Sequence, residues 1–278
     1  MAMNSAIEWT DHTFNPWTGC TNISPGCDNC YAEAWSKRSG HVKWGNSPRK
    51  RTTEAYWKAP HIWQQKAVQF AAEHGRRQRV FCASLADVFD NKAEPEWRSQ
   101  LFEVIKATPS LDWQLLTKRP QNIPKMLPSD WGAQGYSNVW LGFTAEDQTR
   151  FEQRKRFIAE VPAAIWFVSY EPAIGPLRLA EGDPKPDWLI SGGESGHGAR
   201  PMLAQWARDI ISDCRHFGIA AFHKQWGAIG NNPLVQENGM LPSVAKEVDT
   251  FGKGGGMIDG ILIREFPAPK GRIERMSA

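Results

Sequence analysis

Residues 164–172 read AIWFVSYEP. From Ala164 to Val168 every side chain is apolar, and polar groups begin only at Ser169. Unbroken apolar character over so short a run marks a strand covered on both faces, as in a parallel sheet packed between layers. Five further runs have the same form: RVFCASLADVFD (79–90), DWQLLTKRP (112–120), NVWLGFTAED (138–147), DWLISGGESG (187–196) and IAAFHKQWG (219–227). A first strand is expected near IEWTDHTFNPWTG (7–19).

Helical periodicity lies between these runs. In 203–217, Leu203, Trp206, Ala207, Ile210, Ile211, Cys214 and Phe217 recur at three- to four-residue spacing on one face. Trp97, Leu101, Val104 and Ile105 do the same in 96–107, and 146–160 is polar with a narrow Phe151, Ile158 stripe. Strand and helix thus alternate at roughly the length of a βαβ unit. Right-handed crossovers curl such a series into a full or partial TIM-like (β/α) barrel of about six to seven parallel strands. No early G-x-G-x-x-G supports a doubly wound sheet instead. The expected organisation is a barrel over 1–227, with a basic, aromatic insertion at 36–63, then a C-terminal hairpin and flexible tail over 228–278.

Of the 278 residues, 41% are hydrophobic and 23% charged, an ordinary globular balance, and the net charge of +3 is weak support for an acidic partner. No apolar run approaches the roughly 20 residues of a membrane span. The first residues, MAMNSAIEWTDH, lack a signal-peptide pattern, so a cytoplasmic location without membrane contact is expected. Cytosolic cysteines seldom form structural disulfides, so a tight cysteine cluster points to a metal or to catalysis.

Such a cluster is present. GCTNISPGCDNCY (19–31) carries Cys20, Cys27 and Cys30 with spacing C-x6-C-x2-C. The loop follows the expected first strand and so opens at the carboxyl end of the barrel, where barrel sites are built. The same rim receives Ser84 and Asp87, then Thr117, Lys118 and Arg119, then Thr144 and Glu146, then Ser169, Tyr170 and Glu171, then Glu194 and Ser195, then His223 and Lys224. Two metal readings follow. Structural zinc needs a fourth protein ligand, such as His12 or His41. An iron–sulfur cube held by three thiolates leaves one iron open to a small molecule. Cys82 and Cys214, each within an apolar pattern, read as buried inert thiols.

The cysteine loop after the first strand of a (β/α) barrel resembles that of radical-SAM enzymes. GCTNISPGCDNCYAE, with LTKRP and SGGESG, more closely resembles a phage-associated family of three-cysteine-motif proteins, the DUF5131-like family, over about Trp9 to Trp226. The resemblance implies that Cys20, Cys27 and Cys30 ligate a 4Fe-4S cluster whose open iron chelates S-adenosylmethionine. One-electron reduction by a flavodoxin- or ferredoxin-type partner protein would then give a 5′-deoxyadenosyl radical that abstracts hydrogen from substrate. The first cysteine gap is longer here than in the radical-SAM pattern, at six residues. Gly192, Gly193 and Glu194 resemble the glycine-rich motif that holds the methionine part, but follow a late strand, so Ser84 or Asp87 is an alternative amino-group ligand. Thr144, Glu146 and Glu171 complete the expected cofactor-binding set. Glu171, a candidate general base or ribose ligand, and Lys118 are the catalytic candidates.

The insertion at 36–63 suits phosphate contact with base stacking. Lys43, Trp44, Arg49, Lys50 and Arg51, with Arg119, are the candidate nucleic-acid contacts. The leading expectation is a radical-SAM-like enzyme with a nucleic-acid or nucleotide substrate, phage DNA bases among them. The alternatives are a non-catalytic zinc-stabilised nucleic-acid-binding protein, and a metal-dependent hydrolase using Asp87, Glu146, Glu171 and Glu194.

Overall fold

The structure is a computed structural model that describes residues 5–268. Seven strands form one parallel sheet: β1 (His12–Phe14), β2 (Gln78–Cys82), β3 (Leu111–Thr117), β4 (Val139–Thr144), β5 (Ile165–Tyr170), β6 (Trp188–Gly192) and β7 (Ala220–Gln225). They lie side by side in chain order and the sheet does not close on itself, giving a TIM-like half-barrel. All six continuous apolar runs became strands for the reason read in the sequence: both faces are covered. One face packs Phe81, Trp140, Ile165, Phe167, Trp188, Ile190 and Phe222 into the hollow of the sheet with Trp9. The alternate residues, among them Val80, Leu115, Leu141, Phe143, Val168 and Leu189, pack outward against the helices.

The helix Ala204–Phe217 buries Ala204, Ala207, Ile210, Ile211 and Cys214, and stops at Gly218, whose φ of 67° is the left-handed turn that glycine permits. Leu203 precedes the helix as its N-cap and is exposed, so the apolar face is one residue shorter than the periodicity implied. The stretch 146–160 is two short helices, Gln148–Arg154 and Arg156–Glu160. Glycine at 142 admits a neighbour: a Cβ there would stand 2.4 Å from the Phe167 ring.

The segment after 227 contains a hairpin, as expected, and then docks on the sheet. The hairpin pairs Met257–Ile258 with Ile261–Leu262. Residues 263–266 then run along the outer edge of β7, where His223 N donates to Ile263 O, Glu265 N donates to Ala221 O, and Phe222 bridges Arg264. Phe266 packs on Trp188, and Arg264 pairs with Glu8 at 2.8 Å. Backbone packing explains the glycines here: a Cβ on Gly254 would lie 2.5 Å from Ala228 C. The flexible tail expected at the very end falls on 269–278, outside the described residues. No described helix is long and apolar enough to cross a membrane.

Candidate functional site

A cavity of about 430 Å³ opens at the carboxyl end of the half-barrel. That volume is within the roughly 300–1,000 Å³ of small-molecule sites. Its floor is apolar, from Ile7, Trp9, Phe81 and Leu116; Cys20, Cys27 and Cys30 stand in its wall. Ser84, Asp87, Thr117, Lys118, Arg119, Thr144, Ser169, Glu171, Gly193, Glu194, Ser195 and Lys224 line it too. Residues separated by more than 200 positions therefore converge because each follows a parallel strand.

The cysteine loop is fastened at three points. Arg119 Nη1 donates to Asp87 Oδ2 at 2.9 Å and lies 3.4 Å from Cys20 Sγ, while its Nη2 donates to Thr21 O at 2.8 Å. Glu146 Oε1 accepts from Gly26 N at 3.2 Å and Oε2 from Arg154 at 2.9 Å. Glu194 accepts from Asn29 Nδ2 at 2.8 Å and from Arg200 at 2.6–2.9 Å, and Arg200 reaches on to Pro25 O at 2.7 Å. Burial opposes the charge of both glutamates. Arg154 with Ser24 for Glu146, and Arg200 with Asn29 for Glu194, outweigh it and hold both carboxyls below their ordinary pKa.

These attachments redistribute the expected roles. Glu146 is fully buried and outside the cavity lining, and Gly192 is also outside it; a Cβ on Gly192 would press on Glu171 at 3.3 Å. Glu194 lines the cavity with its carboxylate already committed to Asn29 and Arg200. Asp87 accepts from Thr117, Phe89 N, Lys118 N and Arg119. Ser84 exchanges hydrogen bonds with Asn15 and accepts from Tyr31 OH at its carbonyl. Next to Ser84, Ala83 has a φ of 104°, a strained value for a residue with a Cβ, at the point where β2 delivers the chain to the cavity.

Glu171 faces the cavity across from β7. Its Oε1 accepts from Lys224 Nζ at 2.7 Å and from Gln225 Nε2 at 3.2 Å. Two consecutive residues reach one carboxylate because the β6–β7 register slips: Ser191 pairs with His223, but Gly192 pairs with Gln225. The extra residue is a bulge, which re-aims side chains at a strand end. His223, by contrast, points away from the lining. Its Nδ1 bonds Ser191 Oγ at 2.9 Å, and burial, with Arg264 nearby, pushes its pKa down to about 3.

The expected nucleic-acid contacts separate into two kinds. Arg49 is buried, bonded to Asp90 at 2.7 Å, Thr21 Oγ1 at 2.7 Å and the carbonyls of Gly45 and Ser47, so its guanidinium cannot meet a phosphate. Arg119 is likewise consumed by Asp87 and the cysteine loop. Arg51 pairs with Glu54 and lies over the Trp57 ring at 4.2 Å. Lys43 and Lys50 are exposed, and Trp44 lines the cavity. Sequence reasoning missed Asn29, Arg154 and Arg200 as loop anchors, and Lys253, which reaches the cavity rim from the C-terminal segment.

Metal fit rests on donor chemistry. Three thiols from one loop are soft donors suited to an iron–sulfur centre, and their backbone stands in one wall. Their thiols have separate surroundings: Cys20 meets Arg119, Cys27 lies 4.0 Å from Ser24 Oγ, and all are free of disulfides. Burial, then the nearby Asp87, pushes the Cys20 thiol up to about 11 against the pull of Arg119. Among the described residues no three His, Cys, Asp or Glu side chains are gathered closely enough to hold one metal ion. Shared ligation therefore requires the thiols to turn from their present partners. His12, one proposed zinc ligand, stacks on Trp63 and bonds Gln78 at 2.8 Å, and lines no part of the cysteine cavity.

A family model described as "Protein of unknown function (DUF5131)" matches residues 4–267. No curated protein and no solved structure matches the chain.

Proposed function

We propose, for a chain that belongs to the DUF5131 family, a radical-SAM-like iron–sulfur enzyme acting on a nucleic-acid-related substrate. The observation that carries this reading is that Cys20, Cys27 and Cys30 line one cavity at the carboxyl end of an open parallel sheet whose strands follow chain order. Cys20, Cys27 and Cys30 would hold a 4Fe-4S cluster, with S-adenosylmethionine beside it, and together these would supply reductive cleavage and hydrogen abstraction.

The chain's own residues do the rest. Asp87–Arg119, Glu146–Arg154 and Glu194–Arg200 hold the loop against three strand ends. The apolar floor excludes water below the reacting groups. Glu171, with Lys224 and Gln225 on one oxygen, is positioned to accept a ribose hydroxyl or a proton. The phage DNA setting, a cytoplasmic location and a flavodoxin- or ferredoxin-type donor belong to the same proposal.

Anaerobic reconstitution with iron and sulfide tests it. A brown chromophore near about 400 nm, lost in Cys27→Ala, and S-adenosylmethionine cleavage under dithionite are expected. Stoichiometric zinc with no chromophore would overturn the reading.

A further inference from the structure

The charges around the cavity do not cancel. Four acids line it: Glu8, Asp87, Glu171 and Glu194; four bases line it: Lys118, Arg119, Lys224 and Lys253. Asp87 is paired with Arg119, and Glu171 with Lys224. Glu8 and Glu194, however, are neutralised by Arg264 and Arg200, which lie outside the lining. Two ammonium groups, those of Lys118 and Lys253, are left with no hydrogen bond or ion pair among the described residues. Lys118 sits half-buried at the end of β3, while Lys253 overhangs from the Gly-rich loop after Asp249. Trp44 also lines the cavity, and its indole N–H is buried with no acceptor among the described residues.

We propose that this cavity binds a small phosphomonoester, its phosphate held between Lys118 and Lys253. A dianion satisfies both surplus charges, which a neutral nucleoside or an isolated base cannot do, and phosphate supplies several acceptor oxygens for two flexible ammonium donors. The Trp44 N–H and ring offer a donor and a flat face to the remainder of the ligand. The cavity volume limits that ligand to about the size of one nucleotide or sugar phosphate. The C-terminal segment is thereby part of the site rather than an appendage. The inference shares the cavity with the function proposed above, but not its metal chemistry.

The test is a titration of the full-length protein with ribose 5-phosphate, followed by calorimetry and by tryptophan emission, with ribose and the carboxylate ribonate as controls. Ribose 5-phosphate is expected to bind, and ribose is not. Lys118→Met and Lys253→Met should each weaken binding about tenfold, the loss typical of one charge-assisted hydrogen bond. Lys246→Met, an exposed lysine on the helix Pro242–Val248, should leave it unchanged. No binding at millimolar ribose 5-phosphate, binding by both cavity variants as tight as by the natural chain, or tighter binding of ribonate would overturn the proposal. Phosphate binding without a reconstituted cluster would sink the iron–sulfur reading alone; a cluster without phosphate binding would sink this one alone.

Discussion

The two ends of the half-barrel are built from the same strands and differ in almost everything else. At the amino end, Trp9, Trp140, Phe167, Trp188 and Phe222 fill the hollow of the sheet with aromatic rings, Trp9 and Trp188 lying 6.1 Å apart. At the carboxyl end the residues that follow those strands are charged, and nearly every charge has a partner. One end is held by non-directional burial, and the other by directional pairs that fix where a loop lies. Stability and positioning are therefore separable by mutation.

The largest separation is expected at the aromatic end. Trp188→Ala should cost about 3–5 kcal/mol of folding stability, the usual loss for a large aromatic in a packed core. On the proposed iron–sulfur reading, the iron taken up on reconstitution per folded chain should be unchanged; chemical denaturation with metal analysis measures both. A parallel loss of iron would mean that the two ends are coupled.

A smaller loss of stability, with a larger local effect, is expected at the other end. Arg200→Ala removes the main partner of buried Glu194 and should cost about 2 kcal/mol, since Arg200 is itself partly exposed. Because Arg200 also holds Pro25 O, Cys27 and Cys30 should then react faster with iodoacetamide. Peptide mass spectrometry reads this, and unchanged alkylation would show that Arg119 and Glu146 suffice to secure the loop.

Acid distinguishes wall from mouth. His223 is buried neutral with its pKa lowered to about 3, so the unfolded chain takes up a proton that the native chain refuses. Its contribution is intact above about pH 6.5 and is lost as pH falls below that value, by about 2 kcal/mol at pH 5. Glu146 and Glu194 are also held below their ordinary value, here because the charged form is favoured, and they lose their contribution only below about pH 4.5, the ordinary glutamate range. Urea unfolding at pH 7.5 and 5.0 should show the fall in the natural chain and a flatter response in His223→Gln. The smallest effect is expected at Lys50→Ala, an exposed residue, within about 0.5 kcal/mol. By contrast, its neighbour Arg49, fully buried against Asp90, should cost about 3–5 kcal/mol on truncation.

That last pair shows what could be read without coordinates. The seven strands were legible because a parallel strand announces double-sided burial in consecutive residues, as Ala164–Val168 does. The convergence of Cys20, Lys118, Glu171 and Lys224 followed from strand direction alone. The run Arg49-Lys50-Arg51 was not legible, because like residues in sequence have unlike partners in space: Asp90 and Thr21 for Arg49, the His41 carbonyl at the exposed surface for Lys50, and the Trp57 face for Arg51. Glu146 and Glu194 looked alike to Glu171 for the same reason. Their arginines, at 154 and 200, carry no motif. The glycines at 252–256 read as looseness, whereas several are there because neighbouring backbone and side chains approach too closely for a Cβ.

The strip at 263–266 has one more consequence. β7 is the last rung of an unclosed sheet, and Ile263, Arg264 and Glu265 occupy the hydrogen-bonding positions that an incoming foreign chain would seek. Cutting the polypeptide just ahead of Ile263 would spare every cavity residue, yet bare that rung as a template for neighbours. Shortened versions should thus betray themselves by clumping at high concentration.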